Sequence, residues 1–292
     1  MELASKLAFH RAIAPPTAVI IAAASALLLG VACDGATETS PTLAVVVAVH
    51  GVDFAFDAPS TIPAGMVTVN FVNDGKALHQ AQLVRLDSGR TVADLQAALG
   101  QSGPLPRWVS FIGGPNAVDP GITGNATLNL SAGNYALLCV VNVPDGVPHY
   151  AKGMIRAFTV SGTGATGSGT FVPAADVTVT LDDYKFILSK PLTAGTHTFE
   201  VRNPDDQPHE IELIRLAPGK TVADMLAWLQ KPNGPPPRQA LGGEAIVAPA
   251  GGPVYFTATL APGDYAFLCF VPDAGDGKPH FMHGMVLAFT IS

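Results

Sequence analysis

Four residues able to bind a soft metal recur in the same order in two halves of this 292-residue chain. The first half carries His79, Cys139, His149 and Met154, and the second carries His209, Cys269, His280 and Met285. Two imidazoles, a thiolate and a weakly bound thioether make the ligand set of a mononuclear copper centre. The sulfur ligands suit Cu(I), and imidazole suits both oxidation states. Taken singly, each residue has a plainer reading. A cysteine in an apolar strand is usually a small packing group, a methionine at a strand start is core, and a lone histidine is surface or core. The recurrence of the whole quartet places the metal reading above these.

The stretch CFVPDAGDGKPHFMHGMV, residues 269–286, holds two histidines and two methionines besides its cysteine. The register between the halves selects among them. PHYAKGM (148–154) answers PHFMHGM (279–285) at an offset of 131, which matches His280 to His149 and Met285 to Met154. His283 falls opposite Lys152 and only two residues before Met285, so it is expected to be a solvated bystander. Met282 is expected to pack within its loop. His50 and His197 have no counterparts and are expected to carry no role.

These motifs sit in longer matches. HQAQLVRL (79–86) answers HEIELIRL (209–216), and GRTVADLQAAL (89–99) answers GKTVADMLAWL (219–229). GNYALLC, ending at Cys139, answers GDYAFLC, ending at Cys269, and all three pairs are offset by 130. A constant register over this length is a duplication of one structural unit. SGTGATGSGT (161–170) separates the copies and reads as a flexible linker. The expected organisation is a first domain at 43–160, a linker at 161–174 and a second domain at 175–292.

Within each copy the pattern is mainly strands. MVTVNFVN (66–73) and HTFEVRN (197–203) alternate as half-buried strands do. ATLNLSAGNYALLCVV (126–141) and YFTATLAPGDYAFLCFV (255–271) read as strand, glycine turn, strand. MIRAFTV (154–160) and MVLAFTI (285–291) close the copies. TVADLQAAL and its partner predict one helix each. Thr91 or Thr221 caps it, an Asp three residues later completes a capping box, and Val92, Leu95 and Leu99 share one face. About seven strands and one helix per copy predict an all-β chain of two antiparallel sandwiches.

The chain resembles the cupredoxins, a family that includes plastocyanin, azurin, auracyanin and the domains of copper nitrite reductase. FVNDGKALH and VRNPDDQPH look like that family's strand, Asn, turn and first ligand histidine, with Asn73 and Asn203 six residues ahead. The five-residue steps His149 to Met154 and His280 to Met285 match the plastocyanin spacing, and P-H-x3-G-M is similar to the nitrite reductase copper loop. The resemblance implies two Greek-key cupredoxin-like sandwiches in tandem, each with one short helix. It implies one or two copper ions, with Cys as thiolate, both His as equatorial ligands and Met as axial ligand. It places the first His on one strand and the other three ligands around the final loop. The step from Cys to second His is 10 residues in the first copy and 11 in the second, longer than in plastocyanin or azurin.

The same resemblance frames the activity. Multicopper oxidases carry paired H-x-H motifs, and none occurs here. Nitrite reductases place a His directly before the copper Cys, where this chain has Leu138 or Leu268. No Ser-His-Asp order, P-loop or dinucleotide fingerprint stands out. The expectation is therefore a non-enzymatic electron carrier serving a redox partner protein. Copper storage or delivery, and a metal-free interaction module, are the alternatives.

Composition bounds the rest. Apolar residues make up 48% of the chain and charged ones 13%, which excludes a disordered protein. Lys6 and Arg11 precede an apolar run, Ala18–Ala32, with Cys33 directly after it. That is the layout of a secretory signal at 1–32, and LLLGVAC resembles a bacterial lipobox with Cys33 as the lipid-bearing residue. The run of about 15 residues is short of the roughly 20 a membrane span needs. The expected location is the periplasmic or cell-surface side of a bacterial membrane, held by an N-terminal lipid. Without residues 1–32, which carry Lys6, Arg11 and Glu2, the balance is 14 basic to 22 acidic residues, which argues against nucleic acid as a partner.

Overall fold

The computed structural model describes residues 44–101, 103–143, 145–162 and 172–292. The expected leader at 1–32, Cys33 and most of the expected linker at 161–174 lie outside the described residues.

The first copy runs β1 (Val45–Val52), β2 (Ala55–Asp57), β3 (Thr61–Pro63), β4 (Gly65–Asn73), β5 (Gln82–Leu86), α1 (Val92–Gly100), β6 (Val109–Phe111), β7 (Thr123–Leu130), β8 (Gly133–Leu138) and β9 (Ile155–Ser161). The second runs β10 (Val177–Asp182), β11 (Lys185–Leu188), β12 (Gly195–Arg202), β13 (His209–Leu216), α2 (Val222–Gln230), β14 (Arg238–Val247), β15 (Val254–Leu260), β16 (Gly263–Leu268) and β17 (Val286–Ile291). Among the described residues the chain is all-β apart from one α-helix and one short 3-10 turn in each copy, as the alternating patterns predict.

Alternation decides which faces meet. In β4, Val67, Val69, Phe71 and Asn73 point inward, and in β12 His197, Phe199 and Val201 do. Phe71 and Phe199 are wholly buried, each contributing roughly 1.5–3 kcal/mol from apolar burial. Opposite these faces lie β3-β9-β8-β5-β6 in the first copy and β14-β13-β16-β17 in the second. Tyr135 and Tyr265 pin the β8 and β16 turns, donating to Ser131 O at 2.7 Å and Ala261 O at 2.8 Å. Both helices carry the predicted capping box, Thr91 with Asp94 and Thr221 with Asp224.

The remaining layer is shared. The order β11-β10-β12-β15-β7-β4-β1-β2 is one eight-stranded sheet. β15 and β7 meet at Tyr255 and Thr127. Asn125 Nδ2 donates to Thr257 O at 2.8 Å, and Thr257 N donates to Asn125 Oδ1 at 2.9 Å. Two open strand edges are thereby covered by each other.

The second sheets also touch. Gln82 donates to Ile246 O at 3.1 Å and accepts from Ile246 N at 2.7 Å. Gly114 N donates to the Glu244 carboxyl at 2.6 Å, and Arg238 pairs with Asp119 at 2.7 Å. No helix among the described residues is long and apolar enough to cross a membrane.

Candidate metal centre

The first histidine of each copy is set by the turn before it. Asn73 Nδ2 donates to Ala77 O and Val118 O at 2.8 and 2.7 Å, while its Oδ1 accepts from Gly75 N at 3.0 Å. Asn203 repeats this on Gln207 O, Val247 O and Asp205 N. One buried amide thus closes the turn and aims the histidine that follows inward.

The other donors flank the loop after β8 or β16. His149 N donates to Val141 O at 2.8 Å, Tyr150 N to Cys139 O at 3.0 Å, and Cys139 N to Met154 O at 3.2 Å. His280 N donates to Val271 O, Phe281 N to Cys269 O, and Cys269 N to Met285 O at 2.9, 2.9 and 3.3 Å. The long step from Cys to His is absorbed in this way. The loop leaves the cysteine, folds back, and a 3-10 turn (His149–Lys152, His280–His283) delivers the chain to the methionine. Gly153 and Gly284 end those turns at φ +110° and +101°, where a side chain would be strained.

The result is two buried donor clusters. His79, Cys139 and His149 form one, and His209, Cys269 and His280 the other. His79 Nδ1 lies 3.0 Å from His149 Nδ1, and Cys139 Sγ lies 3.4 Å from His149 Nδ1 and 4.0 Å from His79 Nδ1. The second cluster repeats these at 3.0, 3.5 and 4.0 Å. One ion with bonds of about 2.0–2.3 Å to imidazole and thiolate can reach all three donors of a cluster. Met154 and Met285 are wholly buried.

Each first histidine is held from behind by a carboxylate. His79 Nε2 lies 2.9 Å from Asp53 Oδ1, and His209 Nε2 lies 2.7 Å from Asp205 Oδ2. With Nε2–H donated there, Nδ1 is left with its lone pair facing the cluster. The backbone N–H groups of Gln80 and Glu210 point at the two sulfurs, at 3.5 and 3.4 Å.

Burial favours the neutral forms of His149, His209, His280 and both cysteines. It pulls His149 and His280 down to about 4, helped by the neighbouring His79 and His209. Burial also lowers His209, against the pull of Asp205. It pushes the Cys139 thiol up to about 12 and the Cys269 thiol well above its usual value. Neutral imidazoles bind metals as they stand, whereas each thiol must lose a proton to a cation that replaces it. Both cysteines are free.

The copies differ at one wall. Phe54 stacks edge-on against His149 with centroids 5.0 Å apart. Its counterpart Tyr184 stacks against His280 at 5.1 Å and donates its hydroxyl to Asp273 at 2.6 Å. His283 is tilted against Tyr184 at 5.2 Å and pairs with Asp276 at 3.1 Å, outside the donor cluster. Met282, expected to pack in its loop, is exposed because the 3-10 turn directs it outward. His197, expected to have no role, is buried and tied to Asp176 at 2.7 Å and Thr193 O at 2.8 Å, a structural anchor at the start of β12. His50 pairs with Asp74 at 2.6 Å on the surface. Asp53 and Asp205 were not singled out from the sequence. The only hint was the i,i+4 step from Asp205 to His209, since Asp53 arrives from a turn 26 residues away.

No family model matches the chain, and no curated protein matches it. Among solved structures, reduced auracyanin from Roseiflexus castenholzii is 25% identical over 42% of this chain and 100% of its own, with a TM-score of 0.27. Auracyanin A from Chloroflexus aurantiacus, a blue copper protein, is 22% identical over 40% and 98%, with a TM-score of 0.29. A blue copper oxidase from Nitrosomonas europaea is 14% identical over 85% of each chain, with a TM-score of 0.24. These scores are low, and the fold rests on the strand order and donor geometry above. The expectation of a non-enzyme is withdrawn, since oxidases are among the solved structures the chain is similar to. The chain carries two cupredoxin-like sandwiches, each with a buried His-Cys-His cluster and a buried methionine at the end of the same loop.

Proposed function

We propose that the protein binds one copper ion in each copy and passes single electrons through them. The observation that supports this most strongly is the pair of buried Nδ1, Nδ1, Sγ clusters with matching separations. Bound copper would supply a one-electron couple that needs no proton. The chain supplies the remainder. His79, Cys139 and His149, or His209, Cys269 and His280, would hold the ion, with Met154 or Met285 as a fourth, weaker donor. Asp53 and Asp205 lock the first imidazole, and the N–H groups of Gln80 and Glu210 stabilise the thiolates. Burial excludes water from both clusters.

Adding Cu(II) to the purified chain tests this. An intense visible thiolate-to-copper absorption is expected. Tight copper binding without that band would favour storage or delivery, and neither band nor copper would remove both metal readings. The domain limits 43–160 and 175–292, the leader at 1–32, lipidation at Cys33 and placement on the outer face of a bacterial membrane belong to the same reading. The constant register of the repeats supports the domain limits, and the basic, apolar and small-residue order up to Cys33 supports the leader and its lipid. A redox partner protein belongs to it as well.

A further inference from the structure

One buried side chain, Asn116, links the surroundings of the two donor clusters across the contact between the copies. On the first copy's side it belongs to the segment that pairs with the first histidine. Two residues on, Val118 N donates to His79 O at 2.9 Å, and His79 N donates back to Val118 O at 3.3 Å. On the other side Asn116 Nδ2 donates to Glu210 Oε2 at 3.3 Å and to Ile211 O at 3.1 Å, one and two residues after His209. Glu210 Oε1 in turn accepts from Phe270 N at 2.9 Å, and Phe270 follows Cys269 in the chain. Three hydrogen bonds and a short run of covalent bonds therefore lead from His79 to the neighbour of Cys269. Asn116 Oδ1 accepts from Ala117 N at 2.8 Å, which turns Nδ2 toward the second copy.

The link is made once. GGPN (113–116) stands opposite GGEA (242–245), so the counterpart of Asn116 is Ala245, whose side chain carries no polar atom. The counterpart of Glu210 is Gln80, and its Nε2 has no hydrogen-bond partner. Asn116 and Glu210 are both buried, so water does not compete for the bonds they share. Electrons tunnel more readily along covalent and hydrogen bonds than across van der Waals gaps, and a contiguous chain of such bonds is a physical carrier of coupling between two sites.

We propose that Asn116 is the bridge over which an electron passes between the two centres of one chain. One centre goes from Cu(I) to Cu(II) as the other goes from Cu(II) to Cu(I), so electrons balance and no proton moves. This rests on the copper reading and adds to it that the copies exchange their electron internally, where two independent carriers would do so only by collision.

The test is proton NMR of the full chain, loaded with copper and half reduced with ascorbate. Cu(II) broadens the ring signals of Phe54 and Tyr184, which stack on His149 and His280, and Cu(I) does not, so their line widths report the exchange rate. Exchange between molecules vanishes on dilution, whereas exchange within a chain does not. The parent is expected to keep a finite rate at infinite dilution, and Cys139→Ser, with one centre, to lose it. Asn116→Leu is expected to lower that rate about tenfold, within the range that single residues of a coupling path carry, with the copper count and visible band unchanged. Gln82→Leu removes the bonds to Ile246 across the same contact but lies off the path, and is expected to leave the rate unchanged. A parent rate that vanishes on dilution while both coppers are bound would overturn the bridge, leave the copper reading standing, and decide the matter even if Asn116→Leu does not fold. An unchanged rate in Asn116→Leu, or an equal loss in Gln82→Leu, would also overturn it. A chain that takes up no copper would overturn both readings.

Discussion

Asp205 and Gly75 stand at equivalent places in the two copies, and between them they decide which carboxylate holds the first histidine. Asp205 reaches His209 Nε2 at 2.7 Å. At Gly75 an added Cβ would lie 2.6 Å from Asp53 Oδ1 and 2.7 Å from His79 Nε2. The missing side chain is thus the space through which Asp53 reaches His79. Asp183, the counterpart of Asp53, donates its backbone N–H to Asp205 at 3.2 Å and does not hold the histidine. The same carboxylate–imidazole bond is supplied from different loops.

This exchange is testable by a double-mutant cycle. Asp53→Ala is expected to weaken copper binding in the first copy about 10–100-fold, as loss of a ligand-orienting partner does. Gly75→Asp alone should also weaken it, because the new side chain collides with Asp53. The two together should recover most of the affinity, giving a strongly non-additive cycle. Competition with a copper chelator measures all four proteins, and additive losses would contradict the exchange.

Copper loading is expected to release about one proton per ion at pH 7. The Cys139 thiol, pushed up to about 12, and the Cys269 thiol, pushed well above its usual value, are protonated before the metal arrives. His149 and His280, drawn down to about 4, have no proton to give up. Loading should persist to mildly acid pH and fail as those histidines protonate near pH 4. A pH-stat titration with Cu(II) counts the protons.

The contact between the copies should weaken as pH rises. Glu244 is fully buried, and burial holds its carboxyl well above its ordinary value of 4.5. The folded state therefore binds this proton more tightly than the unfolded state does. The associated stability is complete below about pH 4.5 and is lost progressively as pH rises toward the folded value. Glu210, raised from 4.5 to about 7 by burial, acts in the same direction, and its shift corresponds to about 3 kcal/mol. Glu244→Gln keeps an acceptor for Gly114 N and removes the titration. The stability difference between the variant and the parent, from urea unfolding, should move in favour of the variant between pH 5 and 8. A difference independent of pH would contradict this.

Much of the centre was legible because duplication aligns it. The register singled out His280 over His283, and both capping boxes follow from Thr and Asp three residues apart. What stayed hidden depends on burial by another element. HEIELIRL alternates, so Glu210 and Glu212 read as the solvent face of β13, yet β14 and the first copy cover that face as well. Fusion of the two sheets through β7 and β15 leaves no periodic mark, because an edge strand has the same alternation whether or not it is paired. The carboxylates behind His79 and His209 were missed because one comes from a distant turn.

The most direct measurement is the copper count and visible spectrum of the full chain beside Cys139→Ser and Cys269→Ser. The expected result is two ions per chain with an intense thiolate-to-copper band, and one ion with about half that band in each variant. A parent protein without the band, or variants that bind as much copper as the parent, would contradict the assignment of one copper to each His-Cys-His cluster.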